Sequence, residues 1–112
     1  MRKHPYPCKR CGGEGYEKLI TLCTDRDNTS DSHLSWLRCP ACDARYICDV
    51  VEYVSVYWDQ DDVSNSGRVC EAAEWDRTLA LAKRCPTPDD AKCKCAAHAA
   101  RPACGEQAWY VR

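Results

Sequence analysis

Apolar and polar residues alternate most regularly in the middle of the chain. Tyr46, Cys48, Val50, Val54, Val56 and Trp58 fall on one face of an extended run, interrupted by Glu52. Ile47, Val51, Tyr53 and Tyr57 fall on the other. A period of two marks a strand, and apolar residues on both faces predict one covered from both sides, bent by a bulge. Tyr16 to Cys23 is a second run of strand formers, and Leu34 to Arg38 a shorter one. The polar stretch from Asp25 to Ser32 reads as a loop or long hairpin connection between them. Together these runs predict an antiparallel sheet of three or more strands.

The pattern then changes. Asp59-Gln60-Asp61-Asp62 and Ser64-Asn65-Ser66-Gly67 form an acidic, turn-rich break that reads as a solvated loop. Beyond it, Val69, Ala72, Trp75, Leu79 and Ala82 recur at helical spacing. The part from Asp76 to Arg84 reads as helix, whereas Val69 to Trp75 also suits a strand. Thr87-Pro88-Asp89-Asp90 carries the marks of a helix start: Thr as N-cap, Pro at the first helical position, then acids. That helix is expected to run to about Ala100 and stop before Pro102, with Gly105 beyond it. Trp109 and Tyr110 are expected to pack back on the domain. The expected organisation is a sheet-bearing part over residues 1–58, a connection over 59–67 and a helical part over 68–112.

Composition limits how such a chain can fold. Its 112 residues make one domain, yet Leu, Ile and Val total only 15 and Phe is absent. That core is thin against a backbone entropy cost of about 1–2 kcal/mol per residue. Metal or disulfide cross-links must help, and the 11 cysteines offer both. The count is odd, the Met-Arg-Lys-His-Pro-Tyr-Pro start has no apolar signal segment, and the spacings are short. All three favour convergence on a metal, and a cytoplasmic setting. No apolar run is long enough to cross a membrane.

Cys8-Lys9-Arg10-Cys11 and Cys39-Pro40-Ala41-Cys42 are the strongest signal. Each Cys-x-x-Cys turn aims two sulfurs at one point, and two turns supply the four thiolates that structural Zn²⁺ prefers. Gly12 and Gly13 stand where positive φ is often needed, and Pro40 presets a tight turn. Cys8-Lys9-Arg10-Cys11-Gly12-Gly13-Glu14-Gly15 resembles the Cys-x-x-Cys-x-Gly-x-Gly zinc motif of DnaJ-type chaperones. Those proteins repeat it four times. Here it stands once, the second pair lacks the glycines, and the J-domain His-Pro-Asp signature is absent. The resemblance implies zinc ligation. The span 8–42 is similar to the wider zinc-ribbon class, with a longer gap of 27 residues between its pairs.

A second candidate set is Cys85, Cys93, Cys95 and His98. Three cysteines with one histidine form a recognised structural zinc set. On a helix Cys95 and His98 share a face, with Cys85 arriving from the preceding loop. Cys93 and Cys95, two apart, would point about 200° away from each other on an ideal helix. Both can bind only if the helix starts late, distorts or gives way to a loop; otherwise Cys104 replaces Cys93 or His98. Cys23 and Cys48 lie in strand-like runs and read as small buried hydrophobes.

Charge and chemistry narrow the function classes. Residues 1–12 carry +4, residues 13–66 carry 11 acids against 4 bases, and residues 67–112 carry +2, for a net −1. This is not the balance of a general nucleic-acid binder. Lys9, Arg10, Lys92 and Lys94 are better read as offsetting thiolate charge than as contacting phosphate. His4, His33 and His98 are scattered and no HExxH is present, so an enzyme is not expected. The expected protein is a small α+β zinc protein: a zinc ribbon with an antiparallel sheet, then C-terminal helices, with one zinc site and a second at the C-terminal cluster. Its expected work is protein–protein recognition as an adaptor, inhibitor or immunity-type partner. The alternative is nucleic-acid binding through the basic first knuckle, with Arg2, Lys3 and Tyr6 adding to Lys9 and Arg10.

Overall fold

A computed structural model describes Cys8, residues 11–12, 16–26, 30–55, 60–99, Pro102 and residues 105–111. Arg2, Lys3, Tyr6, Lys9, Arg10, Gly13, the run from Val56 to Asp59 and Cys104 lie outside the described residues. Among the described residues, five strands form one antiparallel sheet in sequence order: β1 (Glu17–Arg26), β2 (Ser30–Arg38), β3 (Arg45–Ser55), β4 (Gln60–Val69) and β5 (Gln107–Val111). Between β4 and β5 the chain leaves the sheet as helix α1 (Ala72–Lys83) and a single turn, α2 (Ala96–Ala99).

The fold is therefore not the expected sheet followed by C-terminal helices. It is mostly sheet, with one helix of 12 residues laid across it. Of the turn-rich connection expected over 59–67, residues 60–67 belong to strand β4, which runs on to Val69 and is paired with β3 along its whole length, from Tyr46↔Val69 to Ser55↔Gln60. The helix expected from Thr87 to Ala100 is absent except for Ala96–Ala99. In its place are two tight turns, closed by Asp90 N–H to Thr87 O at 3.0 Å and Cys93 N–H to Asp90 O at 3.1 Å. The chain end also joins the sheet, since β5 pairs with β4 at Asn65↔Val111, Ser66↔Tyr110 and Gly67↔Trp109.

Two separate cores explain why β3 is apolar on both faces. On one face Leu22, Trp36 and Ile47 pack against Cys70 and the inner side of α1, formed by Trp75, Leu79 and Ala82. The polar atoms taken into this core are matched. Trp36 Nε1–H donates to Thr78 Oγ1 at 3.0 Å, and Trp75 Nε1–H donates to the Tyr46 carbonyl at 3.1 Å. On the opposite face Tyr16, Leu37, Tyr46 and Cys48 pack with Cys8, Cys39 and Ala44. The bulge expected in β3 lies elsewhere. Register shifts occur in β1, between Lys18 and Ile20 and between Cys23 and Asp25, and in β4 between Gly67 and Arg68.

Gly67 shows why a polar, turn-like sequence is a strand here. Trp109 lies opposite it, stacked on Tyr16 at 5.3 Å and tilted against Tyr46 at 5.5 Å. A Cβ on Gly67 would overlap the Trp109 ring. The ring cannot retreat, because Trp109 Nε1–H also donates to Asn65 Oδ1 at 2.8 Å. Gly67→Ala is expected to destabilise the protein by about 1–3 kcal/mol through overpacking. Chemical denaturation of the metal-loaded protein measures this, and an unchanged midpoint would refute the wedge.

Candidate metal centres

The first centre is built by two turns of nearly identical form. In each, the residue after the second cysteine closes the turn onto the first: Gly12 N–H to Cys8 O at 2.8 Å, and Asp43 N–H to Cys39 O at 2.8 Å. Both closing residues take a left-handed backbone, with φ of 70° at Gly12 and 63° at Asp43. Glycine adopts this freely, and Asp is among the few other residues that tolerate it. The Asp43 carboxylate stands 3.7 Å from Arg38 and 3.6 Å from Arg45, cross-strand neighbours that it keeps from facing each other unscreened. The β2–β3 hairpin thus carries the second turn, with Cys39 N–H donating to Ala44 O at 2.8 Å across its base.

These turns bring Cys8, Cys11, Cys39 and Cys42 together, every sulfur within 4.8 Å of the others. Cys8 and Cys42 are 3.6 Å apart, and Cys11 and Cys39 3.7 Å. Sulfurs at the corners of a tetrahedron with Zn–S bonds of about 2.3 Å stand roughly 3.8 Å apart, so the spacing fits zinc. Cys8 and Cys39 are buried, Cys42 half-buried and Cys11 exposed. Desolvation pushes the Cys42 thiol up to about 12, with hydrogen bonds from Cys11, Cys8 and Cys39 acting the same way and the Ala44 N–H opposing them. A metal arriving here must displace protons.

Tyr46 supports this centre from the sheet below. Its hydroxyl lies 3.1 Å from Cys8 Sγ and donates to that sulfur once it is a thiolate. Tyr46→Phe is expected to leave the fold intact and weaken metal binding at this centre about tenfold. Competition with a chromophoric chelator reads that loss; equal affinity in the variant would remove Tyr46 from the site.

The second centre assembles where α1 ends. The last turn of the helix tightens, with Cys85 N–H bonding Ala82 O at 3.1 Å, and this places Cys85 beside the turns of residues 87–93. Cys85, Cys93, Cys95 and His98 have ligand atoms all within 4.8 Å of one another, and each residue is half-buried. Cys85 Sγ is 3.8 Å from Cys93 Sγ, and His98 Nδ1 is 3.2 Å from Cys95 Sγ and 3.4 Å from Cys85 Sγ. A tetrahedral three-sulfur, one-nitrogen zinc site needs S–S and S–N edges of about 3.8 and 3.5 Å, close to these values. The helical conflict between Cys93 and Cys95 is resolved by a late helix start. Both lie in the loop before α2, free of helical geometry.

His98 is held in one tautomer. Its Nε2 faces the Cys23 carbonyl at 3.1 Å, an acceptor only, so Nε2 carries the proton and Nδ1 presents a lone pair to the cluster. Backbone amides are arranged for thiolates as well: the N–H of Thr87 bonds Cys85, and that of Cys95 bonds Cys93. The Thr87 hydroxyl gives Cys93 its largest downward shift, whereas desolvation pushes Cys85 up to about 11.

Cys23 and Cys48 are buried as the sequence implies, and so is Cys70. The contribution of Asn65 had no sequence signal. Its Oδ1 accepts from both Cys48 Sγ at 3.0 Å and Trp109 Nε1, and so locks β4 beneath the aromatic cluster that backs the first centre. The two four-ligand groups fit zinc-binding knuckles, and their geometry suits one or two zinc sites. Comparison with protein-family models, curated proteins and solved structures finds no match to this chain. What can be said of its class therefore rests on the sites themselves: a small, cysteine-rich, zinc-binding protein. No helix among the described residues is long and apolar enough to cross a membrane.

Proposed function

We propose that the protein is a non-enzymatic recognition module, an adaptor, inhibitor or immunity-type partner whose zinc ions hold the shape of a protein-binding sheet. The observation that carries this reading is that each metal group has four protein ligands. A catalytic zinc keeps a position open for water or substrate, and four protein donors leave none. In the cleft of about 400 Å³ beside the second turn, Tyr46 engages Cys8, and Asp43 and Arg45 engage each other.

Two features of the described surface support the protein-partner reading. Arg26, Arg38, Arg45 and Arg77 each lie beside a carboxylate, which weakens their pull on phosphate. Large apolar groups, by contrast, are offered to solvent: Tyr53 is 53% exposed and Tyr110 62%. Strand alternation from Ile47, and the Ser66↔Tyr110 and Asp49↔Ser66 pairings, put both tyrosines on the sheet face that carries α1. Tyr53 lies six residues along β3 from Ile47, roughly 20 Å beyond the residue that α1 covers. Exposed tyrosines on a rigid sheet are typical anchors of protein interfaces.

The test is capture from native lysate with metal intact and nuclease present, comparing wild type with Tyr53→Ser/Tyr110→Ser. Loss of a specific protein in the double variant, at unchanged metal content, is the expected result. Binding to mixed DNA and RNA that weakens steeply with salt would favour the nucleic-acid alternative instead.

A further inference from the structure

Among the described strands, β1 is one edge of the sheet, paired with β2 alone. At Cys23 that edge is closed by the second metal centre. The Cys23 N–H donates to Pro88 O at 2.8 Å, and its carbonyl accepts from His98 Nε2 at 3.1 Å. Both main-chain groups of one edge residue are therefore held by the loop that carries the Cys85, Cys93, Cys95 and His98 ligands. His98 belongs to both arrangements, with Nδ1 on the cluster and Nε2 on the strand. Beyond that, Cys85 and Cys95 rest against the core beneath α1; the side chains described between Cys85 and His98 are exposed or half-buried, and α2 is a single turn.

We propose that metal at the second centre is a latch on the β1 edge, and that its loss frees the edge to pair with β1 of a second copy of this chain. The inference goes beyond the recognition reading and uses the opposite edge of the sheet from β5. Three features point to self-pairing. A released Cys23 presents one donor and one acceptor side by side, which is what an antiparallel two-fold pairing requires of each strand. The middle of β1, Leu19-Ile20-Thr21-Leu22-Cys23, is apolar and strand-forming. In the two-fold register through Cys23, Thr21 stands opposite Asp25 and Ile20 opposite Arg26, so no like charges meet there. The first centre is the steadier of the two. It has two buried cysteines and a tyrosine beneath it, whereas all four ligands of the second are half-buried. The second is thus the one that chelation or oxidation should empty first.

The test uses the full chain. Cys95→Ser/His98→Gln removes two ligands at once, more than a single Cys104 can replace. Native mass spectrometry counts zinc, hydrogen exchange follows the Cys23 amide, and sedimentation velocity gives the oligomeric state. The expected outcome is two zincs and a monomer for wild type. The variant should keep one zinc, exchange at Cys23 at least tenfold faster at submicromolar concentration where it is monomeric, and at tens of micromolar dimerise with that amide protected again. Wild type stripped stepwise by a chelator should pass through the same one-zinc dimer, which guards against an effect of the substitutions themselves. A one-zinc monomer with a protected Cys23 amide overturns the latch. A one-zinc monomer with a fast amide overturns the self-pairing. Wild type that never holds a second zinc refutes the metal centre and the latch with it, while leaving the tyrosine-face reading untouched.

Discussion

Cys39→Ser should remove one zinc equivalent and most of the stability of the protein. Cys39 has three roles at once. Its Sγ is a corner of the first centre, 3.7 Å from Cys11. Its N–H closes the β2–β3 hairpin on Ala44 O, and its carbonyl accepts the Asp43 N–H, both at 2.8 Å. The side chain is buried, so serine would place an unmatched hydroxyl among Tyr16, Leu37 and Tyr46. Structural zinc contributes on the order of 10 kcal/mol in small domains, comparable to the whole net stability of about 5–15 kcal/mol expected for a domain. Losing the metal from a core this poor in large aliphatics should leave the aromatic cluster, and with it β5, without support. The expected readout is one zinc by native mass spectrometry, held at the second centre, and loss of the cooperative melting transition below about 40 °C. Full metal content with an unchanged melting curve would eliminate the first centre.

The ligands of both centres were legible because paired cysteine spacing is a local signal. Cys8, Cys11, Cys39 and Cys42 are marked by two turns that each need only four or five residues, down to the left-handed position at Gly12. The equivalent position in the second turn, Asp43, carries no such mark, since Asp is common in many settings. The first three strands were likewise visible, the third in its alternation and the first two in their strand-forming residues, although β1 and β2 extend into residues 25–26 and 30–32 that read as a connection. The second half was misread where long-range contacts override local preference. Gln60–Val69 has turn composition, yet β3 pairs along all of it, Asn65 binds two partners, and Gly67 makes room for Trp109 from the far end of the chain. Thr87-Pro88-Asp89-Asp90 is a good helix start in isolation. It becomes a pair of turns because Cys93 and Cys95 must both face the same point, which a continuous helix forbids. Nothing local announces that Cys23 will serve the second centre through its backbone, because that contact depends on where α1 delivers Cys85.

The metal-loaded and metal-free proteins should respond to pH in opposite directions, and acid should strip the zinc. In the metal-free protein, desolvation raises the thiols of Cys48 and Cys42 to about 12 and that of Cys85 to about 11. A thiol whose folded pKa lies above its unfolded value, about 8.5, binds its proton more tightly when folded. Its contribution to stability is fully present below the unfolded value and is lost as pH rises from there toward 11 or 12. Cys93, lowered chiefly by the Thr87 hydroxyl, acts the other way, but three raised thiols outnumber it, so residual structure in the apo protein should weaken in alkali. Zinc reverses the sign at its ligands. A bound thiolate stays ionised far below its unfolded pKa, so the stabilisation by metal is full above about pH 8.5 and falls as acid protonates the unfolded thiols. Each thiol proton displaced lowers apparent zinc affinity about tenfold per pH unit below that point. A series of zinc-release titrations between pH 7 and 4, read with a zinc-sensitive dye, should show both centres emptying as acid is added. Far-ultraviolet circular dichroism of the chelated protein between pH 8 and 11, which follows its residual structure, should show the opposite trend. Zinc retention that does not change with pH over the acid range would exclude thiolate ligation at both centres.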